Sequence, residues 1–203
     1  MPTLELGTLQ LASFHNLLPL ARGKIGSGLW RFFRSLPGES VMKVEQLMTH
    51  EVKTCSESDT LNRAAELMWE SDCGCIPIIR SNGDGKVIGI VTDRDIAMAA
   101  YTQGKQLWAI PVAEAMARKV IACHASDGVS QAEALMRDNQ VRRLPVLDQN
   151  EHLVGILSLN DLAREAQREV SAGKRAEVTE DAVAETLAFV CQPRTSHQMA
   201  VVA

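Results

Sequence analysis

The chain is written twice. Val44, Met48, Val52, Cys55, Asp59, Leu67, Met68 and Pro77 recur unchanged 68 residues later as Val112, Met116, Val120, Cys123, Asp127, Leu135, Met136 and Pro145. After the SNGDG stretch the offset falls to 66, as between Gly89 and Gly155. The difference lies at a turn, where an insertion on the surface is tolerated. A match of this length, broken only there, marks an internal duplication. Each copy must therefore fold into the same unit.

The order of elements can be read from either copy. Val44, Leu47 and Met48 have the spacing of a short helix, and Val52 to Thr54 reads as a short strand. Asp59 is placed to cap a helix carrying Leu61, Ala64, Ala65, Leu67 and Met68 on one side. A strand begins near Ile76, SNGDG turns the chain, and Val87 to Val91 returns. A second helix then runs to about Tyr101, TQGKQ reads as a linker, and Pro111 suits the first turn of the next helix. Beyond the second copy, Thr179 is placed to cap a last helix with Ala182, Val183, Thr186, Leu187 and Val190 on one side.

The chemistry concentrates in VIGIVTDRDI, from Val87 to Ile96, and in its copy LVGILSLNDL, from Leu153 to Leu162. Each is a strand, a hydroxyl residue, an acid three positions on, and a helix. The pairs are Thr92 with Asp95 and Ser158 with Asp161. The turn leaves the first N–H groups of the helix open to an anion. The hydroxyl can bind a phosphate, and the carboxylate can accept from sugar hydroxyls. The same spacing also caps a helix without any ligand. The copies differ between hydroxyl and acid: Asp93 and Arg94 in the first, Leu159 and Asn160 in the second. Arg94 can bring a cation to a phosphate. Arg142 and Arg143, just before Pro145, either supply charge to a cleft or are solvated at a strand end.

These repeats resemble CBS domains, the cystathionine-β-synthase-type motif, over about Val44 to Ala166. The markers are the Met48 and Met116 positions, IPII and LPVL, and the GIVTDRDI and GILSLNDL blocks, all in order, twice. The resemblance implies an α/β fold: two β-α-β-β-α units packed sheet to sheet about a pseudo-twofold axis as one Bateman module. It implies adenosine-type ligands (AMP, ADP, ATP or S-adenosylmethionine) in clefts between the repeats, pairing into a homodimer, and regulation of a separate protein. It maps the hydroxyl and acid onto Thr92 and Asp95 and onto Ser158 and Asp161, and the contacts to a base onto Val52, Lys53 and Thr54 and onto Val120, Ile121 and Ala122. Arg94, Ile76, Arg142 and Arg143 are further candidate contacts. No cofactor is required by the resemblance. The organisation expected is an N-terminal extension over 1–41, repeats over 42–103 and 111–168 with a linker at 104–110, and a C-terminal helix and tail over 169–203.

The remaining features narrow the function. A net charge of -4 and few aromatics, 4%, argue against nucleic-acid binding. No apolar run is long enough to span a bilayer. An odd number of cysteines, five, without a convincing signal peptide, fits reduced thiols in a cytoplasm. Cys73-Gly-Cys75 supplies only two soft ligands where structural zinc takes four, so it reads as a helix-to-strand turn. The five histidines are scattered, and nothing pairs a base with a nucleophile, so the chain is not expected to be an enzyme. The first 41 residues break their helical fragments at Pro19, Gly23, Gly26 and Gly28. Their Trp30-Arg31-Phe32-Phe33-Arg34 stretch allows a basic amphipathic helix on a membrane or a partner. The alternatives are a loosely ordered extension, or translation from Met42.

Overall fold

The computed structural model describes residues 42–173 and 176–193. The expected extension over 1–41, with its amphipathic stretch, lies outside the described residues, as does most of the tail. The first repeat runs β1 (Cys55–Ser56), α1 (Leu61–Glu70), β2 (Cys75–Ile79), β3 (Val87–Thr92) and α2 (Asp93–Gln103). The second runs β4 (Cys123–His124), α3 (Val129–Asn139), β5 (Arg143–Leu147), β6 (Leu153–Ser158) and α4 (Leu159–Ser171). A last helix, α5 (Glu180–Val190), follows. The expected β-α-β-β-α order is present twice.

Each repeat makes a three-stranded sheet with its second strand in the middle. That strand pairs parallel with the first and antiparallel with the third. The central strands bury consecutive residues: Cys75, Ile76, Pro77 and Ile78 in one, Leu144, Pro145 and Val146 in the other. Strand side chains alternate faces, so such a run requires cover on both. Helices supply one cover and the opposite sheet the other. Positions related by the duplication meet across the axis. Lys86 bridges its counterpart His152. The side chain of Arg143 reaches Gly74, beside Arg143's own counterpart Cys75.

The leader before each first strand crosses to the other repeat. Thr49 pairs with Ile156 through two backbone hydrogen bonds of 2.9 and 3.0 Å, and Ala117 pairs in the same way with Ile90. Val44 and Met48 therefore belong to the second repeat's core, while Ile110, Val112 and Met116 belong to the first's. Sequence repeat and packing unit are offset by one leader. The crossing explains two glycines. A Cβ on Gly89 would stand 2.5 Å from the Met116 sulfur, and one on Gly155 would stand 2.4 Å from the Met48 sulfur.

Several local expectations are corrected. Val52 to Thr54 is extended but unpaired, and the short strand is Cys55–Ser56. Asp59 does not cap α1; its carboxylate accepts from Ser56 N at 2.7 Å, and Thr60 is the cap. Asp59 lies in the turn that brings the chain from β1 to the helix, so its carboxylate is used one residue early. The leader helices are single 3-10 turns, Val44–Gln46 and Val112–Glu114, because antiparallel bridges end them after one turn. Pro111 precedes its turn as the N-cap. α2 continues through Thr102 and Gln103 until Gly104, at φ +61°, ends it.

The last helix starts at Thr179, whose hydroxyl accepts from Ala182 N at 3.2 Å, as expected from the sequence. It packs on α3 and α4. Val178 and Val190 are buried in the second core, but Leu187 is 45% exposed and does not share their side. Glu169 anchors the approach to α5: one carboxylate oxygen accepts from Glu177 N and Val178 N, both at 2.9 Å. On the first repeat, by contrast, Trp69 is 89% and Tyr101 82% exposed.

Candidate functional site

The two hydroxyl–acid turns come from the same local rule. A β-branched strand ends, the hydroxyl residue stays extended, and the next residues turn helical. In the first copy Thr92 N and Thr92 Oγ1 donate to Asp95 Oδ2 at 2.9 and 2.7 Å, and Asp95 N donates back to Thr92 Oγ1 at 3.3 Å. In the second, Ser158 N and Ser158 Oγ donate to Asp161 Oδ2 at 2.8 and 2.6 Å, with Asp161 N returning at 3.3 Å. Both pairs therefore form capping boxes.

What differs is the second carboxylate oxygen. No described residue donates to Asp95 Oδ1. Asp161 Oδ1 is taken by the guanidinium of Arg164, one turn along α4. Asp95 is half-buried, whereas Asp161 is only 5% exposed. A carboxylate has about four acceptor positions, so Asp95 retains capacity that Asp161 has largely used.

The arginines divide as well. Arg143 extends across the axis to the first repeat. A Cβ on Gly74 would lie 3.1 Å from Arg143 Nη2 and 3.0 Å from Asp93 Oδ2, so the side-chain ends of Arg143 and Asp93 both lie over the Gly74 backbone. Among the described residues, the Arg143 side chain makes no hydrogen bond and no ion pair within 4.0 Å. Arg94 is exposed, and its guanidinium has no described partner either. Arg142 is committed elsewhere: its guanidinium donates to Cys191 Sγ at 3.4 Å, at the end of α5. Its carbonyl accepts from Leu159 N at 2.9 Å.

Val52 and Thr54 line a cleft of about 220 Å³ between the repeats together with His50, Ile79, Gly85, Leu153 and Val154. Thr92 pairs with Cys75, at the end of β2 away from Ile79 and roughly 13 Å from that residue at about 3.3 Å per residue. Val52 and Thr54 precede Cys55, the parallel partner of Ile78, and so run back toward the Cys75 end. Ile76 is fully buried in the first core. Val120, Ile121 and Ala122 are half-buried in the corresponding extended segment of the second repeat, and Lys53 is exposed in the first. The structure thus groups the candidates into the hydroxyl–acid turns with Arg143 and a cleft of mixed polarity between the repeats, where His50 and Thr54 stand beside Val52, Ile79, Leu153 and Val154. The part of Arg164 was missed in the sequence, although its position corresponds to Met98 in the first copy. An arginine three residues after the acid was the available signal.

Cys55, Cys75 and Cys123 are core residues, whereas Cys73 is half-buried and Cys191 exposed. Burial pushes the Cys55 and Cys75 thiols up to about 11 and that of Cys123 to about 12. They lack the thiolate that redox chemistry needs at neutral pH. Among the described residues no three His, Cys, Asp or Glu side chains converge as metal ligands. No described helix is long and apolar enough to cross a membrane.

Two three-stranded sheets related by a pseudo-twofold axis, with their leaders exchanged and a hydroxyl–acid turn after each third strand, define a tandem-repeat α/β fold. The CBS domain profile matches residues 44–101 and 112–168, and the chain belongs to that family. It is 38% identical over 130 residues to CBS domain-containing protein YhcV of Bacillus subtilis (strain 168), covering 64% of this chain and 89% of that one. The CBS domain pair of protein MJ0100, crystallised in complex with 5'-methylthioadenosine and S-adenosyl-L-methionine, is 26% identical. Its TM-score is 0.55 over 66% of this chain and 99% of that one. CBSX2 in complex with AMP is 25% identical, with a TM-score of 0.54 over 62% of this chain and 96% of that one.

Proposed function

We propose that this protein is a regulatory sensor that binds an adenosine-type ligand at the axis end of the module. AMP, ADP, ATP and S-adenosylmethionine are the candidates. The observation that carries this reading is the pairing of an unsatisfied acceptor with an uncommitted cation. Among the described residues no group donates to Asp95 Oδ1, and Arg143 reaches across the axis beside Asp93 without an ion pair within 4.0 Å. A ribose supplies the donors that Asp95 lacks, and Thr92 and Arg143 suit a phosphate or another anionic group. Val52 and Thr54 add one wall of the cleft between the repeats for a base. The ligands named for MJ0100 and CBSX2 support the same class of compound.

Binding becomes regulation only if the ligand distinguishes two states of the protein. The readout is a change of shape or association passed to a separate regulated protein. Free cysteines fit work in the cytoplasm. No nucleic-acid surface is part of this reading. Membrane contact through residues 1–41 is not part of it either.

A second reading is a dimerising scaffold with no nucleotide. The exposed Trp69, Tyr101 and Trp108 on the first repeat favour it. Thermal-shift measurements with AMP, ADP, ATP and S-adenosylmethionine, followed by calorimetric titration, separate the two. A saturable rise in melting temperature with at least one compound supports the sensor. No response to any of them leaves the scaffold.

A further inference from the structure

We infer that Arg164 and the C-terminal helix close the second of the two repeated sites, so that each chain takes one ligand, at Asp95. This inference rests on the reading of Asp95 as a ribose acceptor.

Three independent observations converge on it. The first is occupancy of the carboxylate. Ser158 uses one oxygen of Asp161 twice, and Arg164 uses the other. At the corresponding place in the first copy stands Met98, which is 48% exposed and has no group to offer a carboxylate. A ribose entering the second site must displace a charged donor, whereas at Asp95 it meets an open acceptor.

The second observation is the commitment of the entrance. Arg142 holds the position that Gly74 holds in the first copy. Its guanidinium is tied to Cys191 at the end of α5, and its carbonyl holds the first residue of α4. The end of α5 is thereby attached to the turn that carries Ser158. Leu159 replaces Asp93 there and is buried in the second core.

The third is burial along the whole helix. Asp161, Ala166 and Glu169 are buried in α4, while their counterparts Asp95, Ala100 and Gln103 in α2 are only half-buried. The described structure has α5 against α3 and α4 but no equivalent helix against α1 and α2. Cover by α5 accompanies loss of access at Asp161.

Isothermal titration of the full chain with AMP tests the inference. One site per chain is expected, and Asp95→Ala should weaken it by about one to two orders of magnitude. The variant Arg164→Met installs the residue found in the first copy. Its side chain is 74% exposed, so the fold should survive, as a cooperative melt will verify. It should raise the stoichiometry to two, and adding Asp161→Ala should return it to one. Wild-type protein that binds two ligands, or that loses a site on Asp161→Ala alone, overturns the closure and leaves the sensor reading standing. So does Arg164→Met that stays at one. AMP binding by neither wild type nor Arg164→Met, repeated with ATP and S-adenosylmethionine, removes the sensor reading and the closure together.

Discussion

Asp95 Oδ2 closes the capping box with Thr92, and we propose that Oδ1 serves a ligand. Losing a charge-assisted ribose contact costs roughly 1.5–3 kcal/mol. Asp95→Ala should therefore weaken adenosine-ligand binding by about one to two orders of magnitude in calorimetry. If the acid only caps α2, the variant should lose stability by roughly 0.3–1 kcal/mol and bind as before. Gly89 is constrained differently. A Cβ there would stand 2.5 Å from Met116 Sδ and 3.2 Å from the Ala117 carbonyl oxygen. The sulfur can move, but the carbonyl is held by its bridge to Ile90. Gly89→Ala should destabilise the protein by about 1–3 kcal/mol, the range for overpacking. Denaturant melts with an unchanged m-value would check it.

At the scale of elements, what the sequence conveyed was whatever repeats locally. The offset of Pro77 and Pro145 located both central strands, and Thr92–Asp95 and Ser158–Asp161 located both helix starts. The exchanged leaders were illegible. Val44 and Val112 announce apolar turns, but nothing local says that each enters the other copy's core. Likewise Asp161 and Asp95 look equivalent until Arg164 and α5 are placed around one of them. The same cover buries Glu133 on α3, at 5% exposure, where the first copy has Ala65. Its Oε1 has no hydrogen-bond partner among the described residues, and desolvation raises its carboxyl pKa above the ordinary 4.5, with Arg137 opposing. The folded state thus favours the neutral acid. The contribution of this group to stability is full below about pH 4.5 and is lost as pH rises through the raised value. Glu133→Gln should raise the melting temperature at pH 7, and the gain should vanish in acid. Equal gains at both pH values would mean that the carboxyl is not desolvated as described.

For the whole molecule, the exchange of leaders ties the repeats into one cooperative body. Both cores close using residues from Val44 onward. Removing residues 1–41 should leave a single cooperative melt at nearly the same temperature, since neither core loses a described member. If the truncated protein melts cooperatively but stops binding lipid vesicles, the basic amphipathic stretch is the reason. The pseudo-twofold leaves the two helical faces unequal. α5 covers α3 and α4, while α1 and α2 display Trp69, Met98 and Tyr101 with no described cover. Large aromatics at 89% and 82% exposure are unusual on a solitary surface and are typical anchors of an interface. A second copy, brought face to face through this side, would bury both sets at once by an isologous contact. Sedimentation should then show a homodimer at micromolar concentration. Trp69→Arg with Tyr101→Arg should yield a folded monomer, because both side chains lie outside the cores. The double variant should leave ligand binding in place, since Asp95 and Arg143 lie in the axis site. A wild-type monomer, with and without ligand, would remove the dimer from this account and leave that aromatic face to a different protein.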